Sequence, residues 1–278
     1  MKFKIENVPD RILGSPLHIY CELQKAVNDP DQDFNDLDKI IRIDVSLTAR
    51  LLKVVNSAYY GLESKIETIT EALGVIGTDQ LMDLVLATSI IGKFQGIPTD
   101  LFNMNLFWKH SIACGLGSRA IARIKKEPSP ERYYVAGLVH DLGRVILCLT
   151  SPQIAESIFE EHARFGEPMQ VYEEKYLETK HGEIAGHLFR NWQLPDYLTE
   201  VVDHHHEPSK CTQFLLPAAI VHYADFLSYD MRLGSSGEMY APILDPAAER
   251  LLNLSSDHFA EIEEEMSGQL EEILRVFL

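Results

Sequence analysis

Hydrophobic residues recur every three or four positions along nearly the whole of this 278-residue chain. That spacing places them on one face of an α-helix, whereas the strict alternation of a half-buried strand is almost absent. Leu47, Leu51 and Val54 form one such face, and Asp44 or Ser46 is well placed to cap its helix. The pattern therefore predicts an all-α protein.

Interruptions of the pattern divide the chain into three parts. A loop around Gly96-Ile97-Pro98 separates an N-terminal helical subdomain, residues 1–100, from a second helical subdomain, residues 101–232. A loop from Leu233 to Pro246 and a C-terminal amphipathic helix make up residues 233–278. Periodicity and helix-end signals predict helices at Leu17–Val27, Phe34–Ile43, Ile69–Val75, Leu106–Ile124, Met169–Leu177, His181–Trp192, Pro195–His206 and Asp257–Leu278, among others.

Polar residues interrupt several apolar faces of these predicted helices. In the helix that begins at Pro195, the face of Leu198 and Val202 continues onto His205 and His206. Helical spacing likewise turns the other members of the set inward, including Asp141, which lies between Leu138 and Val145. The full set is His110, His140, Asp141, His181, His205, His206 and Asp225.

Seven inward imidazoles and carboxylates require partners, because a buried polar group without one destabilises a fold. A shared cation satisfies them more economically than seven separate hydrogen-bonding solutions. We therefore predict a site for one or two divalent metal ions. Iron, manganese, zinc and nickel all suit mixed imidazole and carboxylate ligands. The other histidines (His18, His162, His222 and His258) are interpreted as surface or locally hydrogen-bonded groups, and His187 as exposed.

Charge and composition exclude several classes of function. The formal net charge of −17 argues against nucleic-acid binding and against docking on an anionic membrane. A helix-turn-helix reading of Ile69–Leu86 is disfavoured because its second helix carries no Lys or Arg. We find no signal peptide, and the apolar stretch Leu81–Gly92 is too short to span a membrane. Four scattered cysteines fit a reducing compartment, so a cytoplasmic location is expected.

Extended motifs resemble a known family. Val139-His140-Asp141-Leu142-Gly143-Arg144 resembles the signature of the HD superfamily of helical metal-dependent phosphohydrolases. The chain is more similar to the HDOD family, the HD-related output domain of bacterial signalling, and the likeness covers residues from about 10 to 230. Asn56-Ser57-Ala58-Tyr59-Tyr60-Gly61 is typical of HDOD proteins and not of ordinary HD enzymes. Further matching segments are Ile43–Leu47, Ile69–Leu73, Phe107–Ser111, His181–Gly186, Trp192–Pro195 and His205–Pro208.

The resemblance implies an HD-like helical bundle preceded by the N-terminal subdomain of the HDOD architecture. It also implies how the ligands divide: His110, His140, Asp141 and Asp225 would form one metal site. Asp141 would bridge to a second site made with His181, His205 and His206. Many HDOD proteins have lost part of this set, and this chain retains it.

Two functions remain open from the sequence. The first is a regulatory or output protein of bacterial signal transduction, with signalling proteins or a nucleotide-type ligand as partners and a homodimer as a possible assembly. The second is a metal-dependent phosphohydrolase acting on nucleotides or cyclic dinucleotides, with Asp141 and Arg144 as catalytic residues. The segment after His206-Glu207 lacks the Gly-Tyr-Pro loop of the cyclic-dinucleotide phosphodiesterases, and Arg144 stands where those enzymes often carry lysine. Arginine pairs with phosphate but does not donate a proton near neutral pH.

Overall fold

A computed structural model describes residues 17–91, 94 and 97–277, and all regular structure in those ranges is helical. The predicted all-α class is therefore confirmed. The chain divides into two compact units. Among the described residues, 97–266 belong to the larger unit, and 17–91, 94 and 267–277 belong to the smaller one. No helix within these ranges is long and apolar enough to cross a membrane.

The smaller unit is built from five short helices and the end of the last helix of the chain. Side-chain caps set several helix starts: Asp44 accepts from the amide of Leu47 at 2.9 Å, and Thr68 forms a capping box with Glu71. The helices are α1 (His18–Val27), α2 (Phe34–Ile41), α3 (Val45–Val55), α4 (Ile69–Ile76) and α5 (Thr78–Ile91).

The larger unit surrounds one long helix. Its helices are α6 (Met104–Ile124), α7 (Pro130–Val139), α8 (Leu142–Thr150), α9 (Pro152–Phe165), α10 (Met169–Leu177), α11 (His181–Asn191), α12 (Asp196–His204), α13 (Leu215–Asp230), α14 (Pro246–Leu252) and the start of α15 (Ser256–Phe277). Helix α6 packs most extensively against α7 and α13, and its residues 110–122 are buried on every side.

Two glycines allow α6 and α7 to approach closely. A β-carbon on Gly115 would lie 2.8 Å from the backbone oxygen of Tyr134, and one on Gly137 would lie 2.7 Å from that of Cys114. Such distances are not tolerated, so only glycine permits this crossing. The crossing places the first residue pair of the site, His110 on α6 and His140 after α7, with ring centroids 5.4 Å apart.

The inward direction predicted for Asp141 assumes one continuous helix through the apolar segment 132–149. In the structure this segment forms two helices. Helix α7 ends at Val139 and α8 begins at Leu142, so the prediction of continuous helix through Asp141 is wrong. The ring nitrogen Nδ1 of His140 lies 2.7 Å from the Gly137 oxygen, which ties the residue to the end of α7. Asp141 is fully buried even so, because the interruption itself carries the side chain into the interior.

Candidate metal centre

The seven predicted residues come from five parts of the larger unit and lie together. Their ligand atoms form two groups, each with all members within 4.8 Å of one another. The first, called here the His110 group, comprises His110, His140 and Asp225; the second, the His181 group, comprises Asp141, His181, His205 and His206. Six of the seven side chains are at most 1% exposed, and His206 is partly buried.

Asp141 connects the two groups through its two carboxylate oxygens. Oδ1 lies 3.0 Å from Nε2 of His181 and 3.5 Å from Nε2 of His205. Oδ2 lies 3.2 Å from Nε2 of His140 and 3.9 Å from Nε2 of His110. One carboxylate therefore faces both groups, which is the arrangement expected of a bridging ligand.

Three of the histidine rings are oriented from behind. Nδ1 of His140 lies 2.7 Å from the Gly137 oxygen, and Nδ1 of His205 lies 2.7 Å from the Val202 oxygen. Nδ1 of His181 lies 2.8 Å from the Glu173 carboxylate. Backbone oxygens and carboxylates only accept, so each Nδ1 carries hydrogen and each Nε2 is directed into the site. Metal-ligating histidines are held in this way.

The site contains more electron pairs than its hydrogen bonds satisfy. Nε2 of His181 lies 3.2 Å from Nε2 of both His205 and His206, so basic nitrogens face one another. Both oxygens of Asp141 and of Asp225 are buried without a regular hydrogen bond. Facing lone pairs repel unless a proton or cation lies between them. Separations near 3 Å also match neighbouring ligands around an ion bound at about 2.0–2.2 Å. The residues fit a divalent cation.

The electrostatics favour ionised carboxylates. Burial alone would raise the pKa of Asp141, but the Arg144 guanidinium and His140 hold that pKa well below its usual range. Burial opposes ionisation of Asp225 too, and the adjacent His110 and His140 rings hold its pKa well below the usual range. Burial lowers the pKa of His205 to about 4, which leaves that ring neutral and able to donate a lone pair.

Arg144 lies beside Asp141 and is completely buried. Its Nη1 lies 3.1 Å from Oδ2 of Asp141, and its Nη2 donates to Glu238 at 2.7 Å. Nη1 also donates to the hydroxyl of Ser236 and, at 3.3 Å, to the backbone oxygen of that residue. The side chain is thus held on one side by the site and on the other by the segment between α13 and α14.

Glu173, Ser236 and Glu238 belong to the site but were not identified from the sequence. Glu173 was detectable in principle, because it falls four residues after Met169 and four before Leu177 on the buried face of α10. Ser236 and Glu238 lie in an irregular segment, where no periodicity indicates direction.

His162 and His222 are buried and support the segment that carries Glu238, so of the two alternatives the surface position is excluded and the hydrogen-bonded role remains. His162 accepts from the amide of Met239 at 2.9 Å, and His222 accepts from the amide of Asp245 at 2.9 Å. Burial lowers the pKa of both rings, which favours the neutral acceptor form. His187 is exposed as predicted.

A cavity of about 250 Å³ lies against one edge of the site. His206 and Glu238 form its inner wall, and the irregular segment after α13 supplies much of the remainder through Tyr240, Pro242 and Ile243. His206 is therefore the member of the set that a small molecule could reach first.

Comparisons with known proteins agree with this architecture. A protein of Treponema pallidum (strain Nichols), described only as uncharacterized, is 26% identical over 204 residues. These residues are 73% of this chain and 38% of that protein, so this chain spans well under half the length of that relative. A structure from Shewanella amazonensis SB2B, named as a proposed phosphohydrolase, has a TM-score of 0.76 at 20% identity and covers 98% of both chains. A proposed signal transduction protein from Marinobacter aquaeolei VT8 has a TM-score of 0.67 at 17% identity, covering 99% of this chain and 61% of that one.

The family model of the HDOD domain matches residues 13–208, which is well over half of the chain. The match includes six of the seven site residues, all except Asp225. The chain therefore belongs to the HDOD domain family.

Proposed function

We propose that this protein is a signal-transduction regulator of the HDOD type whose larger unit is organised around a divalent metal centre. The observation that carries the proposal is that the protein buries almost all of the seven ligand side chains. The His110 group and Asp141 are at most 1% exposed, and His181 and His205 are equally buried. Such a site suits a cation that holds the helices in one arrangement.

Arg144 supports the regulatory reading. A phosphate-binding arginine presents its terminal nitrogens to the ligand, but both terminal nitrogens of Arg144 already bind Asp141, Ser236 and Glu238. The residue is also 0% exposed. The signal would reach the protein through another signalling protein or through a nucleotide-type ligand, and the state of the metal centre would determine which form the larger unit adopts.

Metal-dependent phosphohydrolysis is the second candidate, and the cavity beside His206 favours it. A bound divalent ion supplies a lowered pKa for water and neutralises charge on a phosphate. In this chain a phosphoester in the cavity would approach the ligand set past His206, which lines the cavity. Asp141, which faces both ligand groups, would hold them in fixed relative positions. Arg144 would stabilise phosphate charge only after releasing Glu238. The cavity is smaller than most pockets for drug-sized ligands, at about 300 Å³ and above, so a small phosphoester fits better than a cyclic dinucleotide.

Elemental analysis followed by a hydrolysis screen separates the two candidates. The purified protein, Asp141→Ala and the exposed control Asp100→Ala are each assayed for iron, manganese, zinc and nickel and for release of phosphate from phosphoesters, nucleotides and cyclic dinucleotides. Bound metal that is lost in Asp141→Ala, with no turnover by any protein, supports the regulator. Turnover that disappears only in Asp141→Ala establishes the phosphohydrolase. Absence of metal from the wild-type protein after loading overturns both.

A further inference from the structure

Besides its ion pair with the shared Asp141, Arg144 contacts histidines of one ligand group and none of the other. Its Nη2 lies 3.4 Å from Nε2 of His206 and 3.5 Å from Nε2 of His181. Among the described residues, it makes no ion pair or hydrogen bond with His110, His140 or Asp225. The two groups therefore have different electrostatic surroundings although Asp141 serves both.

The guanidinium is directed at the electron pairs that a metal would use. Arginine has donors only, so it competes for Nε2 of His181 and of His206, the atoms whose lone pairs a metal would use once the rings are neutral. Nδ1 of His181 is occupied by Glu173 at 2.8 Å, which leaves Nε2 as the nitrogen available to a cation. A metal ion bound by the His181 group would have to share these nitrogens with a positive charge about 3.5 Å away.

The charge is fixed in position. Arg144 is fully buried, and on the side away from the histidines Ser236 and Glu238 hold its two terminal nitrogens. Arginine stays protonated at all physiological pH values, so the charge cannot be removed by losing a proton. In the opposite half, Asp225 adds a second carboxylate at 3.0 Å from Nε2 of His110.

We propose that Arg144 acts as a resident cation that makes the two ligand groups unequal in their affinity for metal. The first divalent ion binds at His110, His140 and Asp225 together with Asp141. The His181 group binds a second ion much more weakly, because the guanidinium already places a positive charge beside the nitrogens that would bind that ion. This inference rests on the proposed metal centre and assigns Arg144 as the residue that limits the number of tightly bound ions.

Zinc titration tests the proposal directly. The metal-free protein is titrated with Zn²⁺ in a calorimeter, and ions retained after dialysis are counted by mass spectrometry. The wild type and Arg144→Lys should retain one ion, whereas Arg144→Gln should retain two, with the second bound at least about tenfold more tightly than in the wild type. Arg119→Gln is the matched control, because Arg119 is also a buried arginine that forms an ion pair with a carboxylate, that of Glu265 at 3.2 Å.

A second variant protects the test against loss of folding in Arg144→Gln. Glu238→Gln removes the carboxylate that draws the guanidinium outward, so it should weaken binding of the second ion still further. Circular dichroism identifies folded variants.

Two outcomes overturn the role of Arg144 alone. One is two ions of similar affinity in the wild type. The other is a second-ion affinity unchanged in every folded variant. If no variant binds zinc at all, the metal centre itself is refuted, which is a distinguishable failure.

Discussion

Glu173 binds His181 at both its main chain and its ring. One carboxylate oxygen accepts from the backbone amide at 3.0 Å, and both oxygens lie 2.8 Å from Nδ1. Burial alone would raise the pKa of Glu173, yet His181 lowers it, so the pair favours an ionised carboxylate. Helix α11 thus begins at a residue whose position and ring orientation are set by one side chain from α10.

Replacing Glu173 with glutamine should weaken metal binding by about 10- to 100-fold, as is typical when the carboxylate behind a metal-bound histidine is removed. The amide can no longer accept two hydrogen bonds from His181 with a full negative charge. Isothermal titration with Zn²⁺ measures the change. Glu174→Gln is the control, because the neighbouring Glu174 is exposed and its carboxylate pairs with Lys180 at 3.3 Å, away from His181. Equal affinities for the two variants would contradict the role assigned to Glu173.

Metal binding near pH 7 should release protons. Burial lowers the pKa of His140, but Asp141 and other neighbours raise it well above 6.5. Burial and Arg144 lower the pKa of His181, while Glu173 and Asp141 raise it, with a net increase. Both rings therefore hold protons in the ion-free protein that a cation must replace, so affinity should fall as the pH decreases.

Calorimetry in buffers of different ionisation enthalpy measures this release, which should reach up to about two protons per protein. His187→Ala removes an exposed histidine outside the site and should leave the proton count unchanged. Heats that do not depend on the buffer at pH 6 to 7 would exclude the predicted exchange of protons for metal.

Gly143→Ala should destabilise the larger unit by about 3 kcal/mol, the upper end of the usual cost of overpacking, since the added carbon is forced against backbone. A β-carbon there would lie 1.8 Å from the backbone oxygen of His181. Gly74→Ala is the opposite case, because a β-carbon on Gly74 meets nothing within 4 Å and the residue lies inside α4. That change should stabilise the protein by about 0.5–1 kcal/mol through helix propensity. Urea denaturation measures both, and a well-tolerated Gly143→Ala would show that α8 and α11 are not in close contact.

Glu238 should make the metal-free protein less stable as the pH rises. Burial raises its pKa to about 7 from an ordinary 4.5, against the lowering effect of Arg144. Between those values the folded state holds a proton that the unfolded state has lost, so the free energy of unfolding decreases with pH. Glu238→Gln lacks this titration, and its stability relative to the wild type should increase by roughly 3 kcal/mol at most between pH 4.5 and 7.5.

Denaturation across that range measures the difference between the two proteins. The exposed Glu160→Gln serves as the control and should track the wild type at every pH. A constant difference between Glu238→Gln and the wild type would indicate that the carboxyl stays ionised throughout.

Local pattern was sufficient to predict the helices, because a helix is stabilised by neighbours three and four residues apart. Helix α3 begins after Asp44 as the capping signal indicated, and α10 has the predicted bounds Met169–Leu177. The errors are at interruptions: α2 ends at Ile41 and not at Ile43, and the segment around His140 and Asp141 breaks the helix. There a ring-to-backbone bond from His140 competes with the regular helical bonds, which periodicity does not report.

The sequence by itself determined the helical class and the inward direction of residues such as His110 and Asp225, since both follow from spacing along single helices. Only the tertiary structure decided which oxygen of Asp141 faces which histidines and placed Glu173 behind His181. It also brought Glu238, 94 residues after Arg144, to the outer side of that guanidinium. These relationships depend on how separate helices and an irregular segment pack. Direction along one helix is a local property of the chain, whereas the distance between atoms far apart in sequence is set only when the core closes around them.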